Sequence, residues 1–313
     1  PVKYILRTFK LFFYFFKISK YKEKTVVYTS SDLFPDTIPI FLHKLIDRDI
    51  YWISRIYHIN KSPLKRKGEF SHNLFSYFSQ QISIPLIKFK SDLILTLAGT
   101  RKILRNLKFP KKKTGVLNAG VNEELIKSAP TNNETFSCFY LGTIVYTRGA
   151  FDLLDVWAEV VKNRKNYQLA VIGGGDQEII SKFKEKISTL NLSDNIKYFG
   201  RIEKDEDVYS IIKSSKVCII PGHENGWSLP ATEAMTAGVP VVGYALDMFG
   251  EAFKKGFAVS PLYDHKALAE KICEVLENKE IWETLHQEAL DESSKFSWKN
   301  IAEDFEQFLD KLN

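Results

Sequence analysis

Residues 221–242, PGHENGWSLPATEAMTAGVPVV, decide the fold of this chain. They follow a short apolar run, Val217-Cys218-Ile219-Ile220, that reads as a buried strand. Pro221 and Gly222 end it. A polar, glycine-containing loop runs from His223 to Ser228, and Leu229-Pro230 opens a helix carrying Ala231, Glu233, Ala234 and Met235. Proline suits a first helical turn, where its missing N–H costs nothing. Gly238 stops the helix, and residues 239–242 read as the next strand. A helix N-terminus at the end of a parallel strand is where α/β proteins hold phosphates. Glu233, one turn inside, is placed to accept hydrogen bonds from sugar or ribose hydroxyls. The plainer account is a solvated first-turn acid favoured by the helix dipole.

The same alternation extends outward on both sides. Strands are expected at 137–141, 167–172 and 196–199, each running into glycines: Gly142, Gly173-Gly174-Gly175 and Gly200. Helices are expected at 149–163, 177–191 and 205–214, then at 264–277, 280–290 and 299–312. This is a doubly wound α/β pattern. The first half alternates too. Strands are expected at 25–28, 51–59, 92–97 and 116–117, with helices at 36–45, 72–90 and 100–107. A basic, aromatic helix is expected at 3–24, with Phe9, Phe12, Phe13 and Phe16 beside Lys10, Lys17 and Lys20.

Composition narrows the class. The chain has 313 residues, comfortable for two domains, and 44% apolar content, normal for a globular protein. Cys138, Cys218 and Cys273 are an odd number without CxxC spacing, which gives no disulfide framework or zinc site and fits a reducing, cytoplasmic compartment. Charge is uneven. Residues 1–130 hold 24 Lys+Arg and 9 Asp+Glu, a net of +15 against +6 for the whole chain. The first half therefore faces something anionic, or simply carries a well-solvated basic surface. No nucleic-acid motif accompanies the charge, and lysines beside aromatics suit an anionic membrane surface better. No run approaches the roughly 18 apolar residues of a spanning helix. Residues 9–18 are short, hold two lysines and lack a cleavage site. The chain begins at Pro1, as a fragment or processed product would.

Residues 221–242 resemble the signature of retaining, GT-B-fold nucleotide-sugar glycosyltransferases of family 4. That signature has two glutamates separated by seven residues, with a small loop before Leu-Pro. Glu233 takes the second glutamate position, while the first falls on Asn225, with Glu224 beside it. Either the Asn225 amide or the Glu224 carboxylate serves there. Residues 142–149, GTIVYTRG, match the family's diphosphate loop, in which an Arg follows the first glycine and a Lys precedes the second. Thr143 stands at the first position and Arg148 at the second, so one cation is missing and one is kept. Residues 118–122 resemble the element that ends the family's first domain, and Phe296-Ser297-Trp298 resembles the approach to its last helix.

The resemblance implies an α/β, GT-B fold: two Rossmann-like doubly wound domains facing a cleft, the N-terminal one lacking its first strands. It implies an acceptor-side domain at 1–122, a linker at 123–135, a donor-binding domain at 136–298 and a helix at 299–313 crossing back to the first domain. It implies a retaining, metal-independent transferase without a cofactor, using a nucleotide-sugar donor and a lipid-linked or glycan acceptor. Its place would be polysaccharide or cell-envelope synthesis, peripheral on the inner face of the cell membrane. The implied catalytic residues are His58, Arg148 and Glu233. The implied donor contacts are Thr143, Arg148, Gly174, Arg201, Ile202, Glu224, Asn225, Gly226, Trp227, Ser228, Leu229 and Glu233. Retaining transfer needs the leaving diphosphate stabilised, and a fixed cation such as Arg148 can do so. The second reading is a non-catalytic GT-B-like module or partner subunit that only binds the donor, which Thr143 and Asn225 favour. A nucleotide-sugar epimerase comes third.

Overall fold

The strands are short and mostly buried on both faces, as parallel strands between helices must be. A computed structural model of the chain describes residues 2–18, 25–47, 49–66, 69–224 and 226–310, with backbone alone for 2, 3, 5 and 15–18. Two units emerge: Pro1–Asn118 with Phe308–Asn313, and Ala119–Gln307. Among the described residues no helix is long and apolar enough to cross a membrane.

The smaller unit runs α1 (Val2–Ile18), β1 (Thr25–Thr29), α2 (Phe34–Ile46), β2 (Ile50–Ile56), α3 (Phe70–Lys90), β3 (Leu93–Thr96), α4 (Ala98–Asn106) and β4 (Thr114–Val116). Its four strands pair in chain order, all parallel. Trp52, Ile56 and Ile94 from the sheet pack with Ile40 of α2, Ile87 of α3 and Leu104 of α4. The Asp92 carboxylate accepts from the Trp52 N–H at 2.8 Å and pairs with Lys44, which joins α2 to the β2–β3 region. Gly115 is glycine for a packing reason: a Cβ there would fall 2.3 Å from the Phe308 ring. The strand expected at 51–59 ends at Ile56, so Tyr57 and His58 lie beyond it. Of the helix expected at 3–24, residues 19–24 lie outside the described residues.

The larger unit runs α5 (Glu123–Ser128), β5 (Phe136–Leu141), α6 (Ala150–Val161), β6 (Leu169–Ile172), α7 (Gln177–Thr189), β7 (Ile196–Gly200), α8 (Asp205–Lys213), β8 (Ser215–Ile220), α9 (Leu229–Thr236), β9 (Val241–Tyr244), a helical turn α10 (Met248–Glu251), β10 (Phe257–Ser260), α11 (His265–Glu277), α12 (Lys279–Ser293) and α13 (Trp298–Asp310), whose last residues, from Phe308, belong to the smaller unit. The parallel sheet has the order β10-β9-β8-β5-β6-β7. Strand order reverses between β5 and β8, the switch point where such sheets bind ligands at their carboxyl edge. Local chemistry sets the helix starts. Asp176, Ser228, Asp264 and Asn278 each cap a following helix with a side-chain oxygen. Trp157 of α6 is fully buried, and its indole N–H reaches the Asn195 carbonyl at 3.1 Å. Cys138, Cys218 and Cys273 are buried and unpaired.

Three elements of the larger unit differ from the sequence reading. Residues 123–135, expected as a linker, include α5, whose Lys127 and Ala129 carbonyls accept from Lys213 Nζ on α8. The strand expected at 239–242 starts at Val241, because Gly238 sits at φ +74° and the N–H groups of residues 237–239 still bond back to the helix end. A sixth strand, β10, pairs beside it.

Candidate functional site

The carboxyl edge of the larger sheet is stitched from glycine loops. Gly173 (φ +148°) approaches the backbone so closely that a Cβ would sit 1.9 Å from the Gly142 carbonyl oxygen. Its N–H reaches the Gly200 carbonyl at 2.8 Å, and the Ile144 N–H reaches the Gly174 carbonyl at 2.8 Å. Gly149 (φ +73°) lies against Pro221, where a Cβ would fall 1.8 Å from the carbonyl oxygen. The His223 N–H donates to the Thr147 carbonyl at 3.2 Å. The loops after β5, β6, β7 and β8 therefore form one continuous backbone surface.

Glu233 sits at that edge, inside α9. Ser228 caps the helix by accepting from the Ala231 N–H at 3.2 Å. The Leu229 N–H, at the first helical position, makes no hydrogen bond among the described residues. Tyr209 of α8 donates to Glu233 Oε1 at 3.4 Å. Burial pushes the Glu233 pKa up to about 7; the Tyr209 hydrogen bond opposes this and nearby Asp205 adds to it. Burial, then Glu233 itself, raises the Tyr209 phenol. The carboxyl group is thus poised to ionise near neutrality, as an acceptor for hydroxyl donors.

The other expected residues separate into groups. Thr143 and Arg148 are exposed on the loop after β5. The Arg148 charge lowers the Tyr140 phenol, which burial raises more strongly. Arg201 forms an ion pair with Glu203 at 3.0 Å, both side chains 76% exposed. Such a pair is weak and easily exchanged for a ligand. Ile202 is half-buried beside it, and Gly174 lies under Arg201, a Cβ there meeting the Arg201 Cβ at 3.3 Å. Glu224 is half-buried, Gly226 and Ser228 are buried, and Leu229 is 43% exposed. Asn225 lies outside the described residues. Trp227 faces inward: its ring stacks on Phe253 at 4.9 Å and meets Phe296 edge-on at 4.8 Å, so it anchors the loop from beneath.

In the smaller unit, exposed His58 follows β2 within a hydrogen-bonded knot. Its Nε2 lies 2.9 Å from Asn60 Oδ1, and its carbonyl accepts from Gln80 Nε2 at 2.7 Å. Gln80 also donates to Asp32 Oδ2 at 2.8 Å and accepts from the Asn60 N–H at 2.7 Å. Burial raises the Asp32 carboxyl, against the Gln80 hydrogen bond and the nearby His58. Sequence reasoning missed Gln80 and Asp32 as partners of His58. The signal was a polar residue in mid-helix together with Ser30-Ser31-Asp32 at a strand end. It also missed Asp152, whose Oδ2 lies 2.7 Å from His223 Nε2 and 3.3 Å from His265 Nε2.

Comparison with known proteins places this geometry. The model of the family "Glycosyl transferases group 1" matches residues 121–292. The phosphatidyl-myo-inositol mannosyltransferase of Mycobacterium leprae is 27% identical over 195 residues, 58% of this chain and 50% of that protein. The chain spans about half the length of the curated relatives it matches. Among solved structures, sucrose-phosphate synthase from Thermosynechococcus elongatus superposes with a TM-score of 0.78 at 17% identity, over 94% of this chain and 75% of that one. HepE of Anabaena, in complex with UDP, superposes with a TM-score of 0.73 at 15% identity, over 92% and 78%. The fold is GT-B, two Rossmann-like units each built on a parallel sheet.

Proposed function

This chain belongs to the glycosyl transferases group 1 family, and we propose that it moves a sugar from a nucleoside-diphosphate donor to a lipid-linked or polysaccharide acceptor, with retention and without a metal. The observation that carries the donor side is Glu233: a half-buried carboxyl with a pKa of about 7, one turn inside the Ser228-capped helix, at the switch point of a doubly wound sheet. UDP in the HepE complex and the phospholipid in the M. leprae relative's name support the two substrate classes.

In this reading Glu233 accepts hydrogen bonds from the ribose hydroxyls. The Leu229 N–H and the positive end of α9 face the donor phosphates or sugar. Arg148 takes the charge that develops on the departing diphosphate, the interaction that a transition state strengthens. Asn225 or Glu224 holds the donor sugar, while Gly174, Arg201 and Ile202 bound the base. His58, held by Gln80, serves the acceptor side. The protein works peripherally at the inner face of a membrane.

The test is a thermal-shift panel of UDP-, GDP-, ADP- and TDP-sugars on the parent chain and on Glu233→Ala. A donor at 100 times its dissociation constant adds about 2.7 kcal/mol. Stabilisation by one nucleotide class, lost in the variant, supports the site. A folded protein that binds none overturns it. Thr143 in place of a cation favours the second reading, a donor-binding module without turnover, and that reading predicts donor binding with no sugar transfer to any acceptor.

A further inference from the structure

Helix α3 is inside out. Its buried residues are mostly polar: Asn73, Ser79, Gln80 and Ser83, joined by Ile87. Ser79 accepts from the Phe34 N–H at 3.0 Å, Ser83 meets Thr37 at 2.8 Å, and Gln80 holds Asp32, Asn60 and His58. The outward side is apolar. Phe70, Leu74, Phe78 and Ile82 are 55%, 36%, 56% and 50% exposed. Their four-residue spacing confines them to an arc of about 120° on an α-helix. An amphipathic helix normally turns that stripe to the core.

Helix α1 shows the same habit. Leu11 faces the core of the smaller unit, while Leu6, Phe9 and Phe13 are 54%, 59% and 65% exposed on the opposite side. Lys10 is exposed between them. Tyr4 of α1 touches Phe75 of α3, ring centroids 4.9 Å apart, so the two helices meet near their N-terminal ends. Among the described residues, 18 of the 21 exposed large apolar side chains lie in residues 1–118. A soluble surface does not gather so much of its apolar exposure on one unit without a use for it.

We propose that the outer faces of α1 and α3 are the surface by which this chain lies on an anionic lipid bilayer. Charge selects that occupant. Residues 2–18 hold Lys3, Lys10 and Lys17 and no acid, while Arg7 pairs with Asp36 of α2 at 2.7 Å, and residues 57–90 hold six Lys+Arg against Glu69 alone. Cations beside aromatic and aliphatic side chains match a headgroup layer over acyl chains. Leu6, Leu74 and Ile82 have no stacking role on a nucleic acid. The surface deepens the proposed reading and rests on it only for its use. The inner face of α3 holds the His58 loop, so a bilayer under its outer face brings lipid-borne acceptors to that loop.

The test is co-sedimentation of the full chain with phosphatidylcholine vesicles, with and without phosphatidylglycerol. The parent, Phe9→Ser/Phe13→Ser and Phe78→Ser/Ile82→Ser are compared, each shown folded by circular dichroism. The parent should sediment with the anionic vesicles, weakly with neutral ones, and less as salt rises. Each double variant should bind about tenfold more weakly, since two apolar insertions are lost. Parent protein that stays in the supernatant, or variants that bind like the parent, overturns the surface. So does a parent dimer that becomes monomeric in the variants without vesicle binding, which makes this face a contact between copies. Nucleotide-sugar thermal shifts on the same proteins separate the two readings. A parent that binds donor but does not sediment with the vesicles removes the bilayer surface alone. Donor binding lost with vesicle binding retained removes the donor site alone.

Discussion

His223 Nε2 lies 2.7 Å from Asp152 Oδ2, in a spot where the two side chains are only 5% and 6% exposed. Asp152 stands in the first turn of α6, directly after the Arg148 loop, and His223 precedes Glu224. The pair ties the start of α6, next to the 142–149 loop, to the 221–228 loop. Asp152→Ala should therefore cost about 3 kcal/mol, because it strands a buried imidazole, while Asp152→Asn, which keeps an acceptor, should cost about 1 kcal/mol. Urea denaturation measures both. Donor affinity should fall along with stability.

Gly149 carries the next prediction. Its φ is +73°, and a Cβ there would lie only 1.8 Å from the Pro221 oxygen, which leaves no room for a side chain. Gly149→Ala should cost more than about 3 kcal/mol, since left-handed strain adds to a clash with backbone. A variant as stable as the parent in the same urea titration contradicts this.

Glu233 gives stability a pH dependence. Its carboxyl ionises at about 7 in the folded chain and near 4.3 when unfolded. Between those values the folded state holds the proton and the unfolded state does not. Stability contributed by the protonated form is thus full below the unfolded value and is lost as pH rises towards 7. The loss is on the order of 3 kcal/mol. Glu233→Gln should flatten this part of the profile and be the more stable protein at pH 8. Melting temperatures of both proteins across pH 4–8 decide it; parallel profiles refute the assignment.

Gln80 reaches Asp32, Asn60 and the His58 carbonyl at once. Gln80→Leu removes all three bonds and should cost about 3 kcal/mol, near 1 kcal/mol for each. Its effect on transfer should appear as a raised acceptor KM with the donor KM unchanged. A drop confined to donor affinity would contradict the placement of His58 on the acceptor side.

Much of the larger unit was legible because each strand is an apolar run punctuated by glycine, and Ser228, Asp176 and Asp264 mark their helices openly. β10 was missed: Phe257–Ser260 is only four residues long and follows a loop with no period of its own. Glu233 was visible from its position after Leu-Pro, but its raised pKa was not, since that comes from burial and from α8, a separate element. Trp227 was expected among the donor contacts and faces the core, because Phe253 and Phe296 converge on it from distant positions. The inverted α3 was the least legible element. A helix with phenylalanines outward and a glutamine inward has the same period as one packed the usual way, and only the burial of Asn73, Gln80 and Ser83 reveals which side faces in.

The buried thiols have a practical consequence. Cys138 and Cys218 stand on the adjacent central strands β5 and β8, both fully enclosed, and burial raises both thiols well above their ordinary range. A thiol in that state is inert to alkylating reagents until the strands part. The chain thus carries its own clock for opening of the larger sheet. Labelling rates in native buffer, followed by mass spectrometry with and without a nucleotide-sugar, time that opening directly. A ligand seated across the β5–β8 loops should slow modification of both cysteines together.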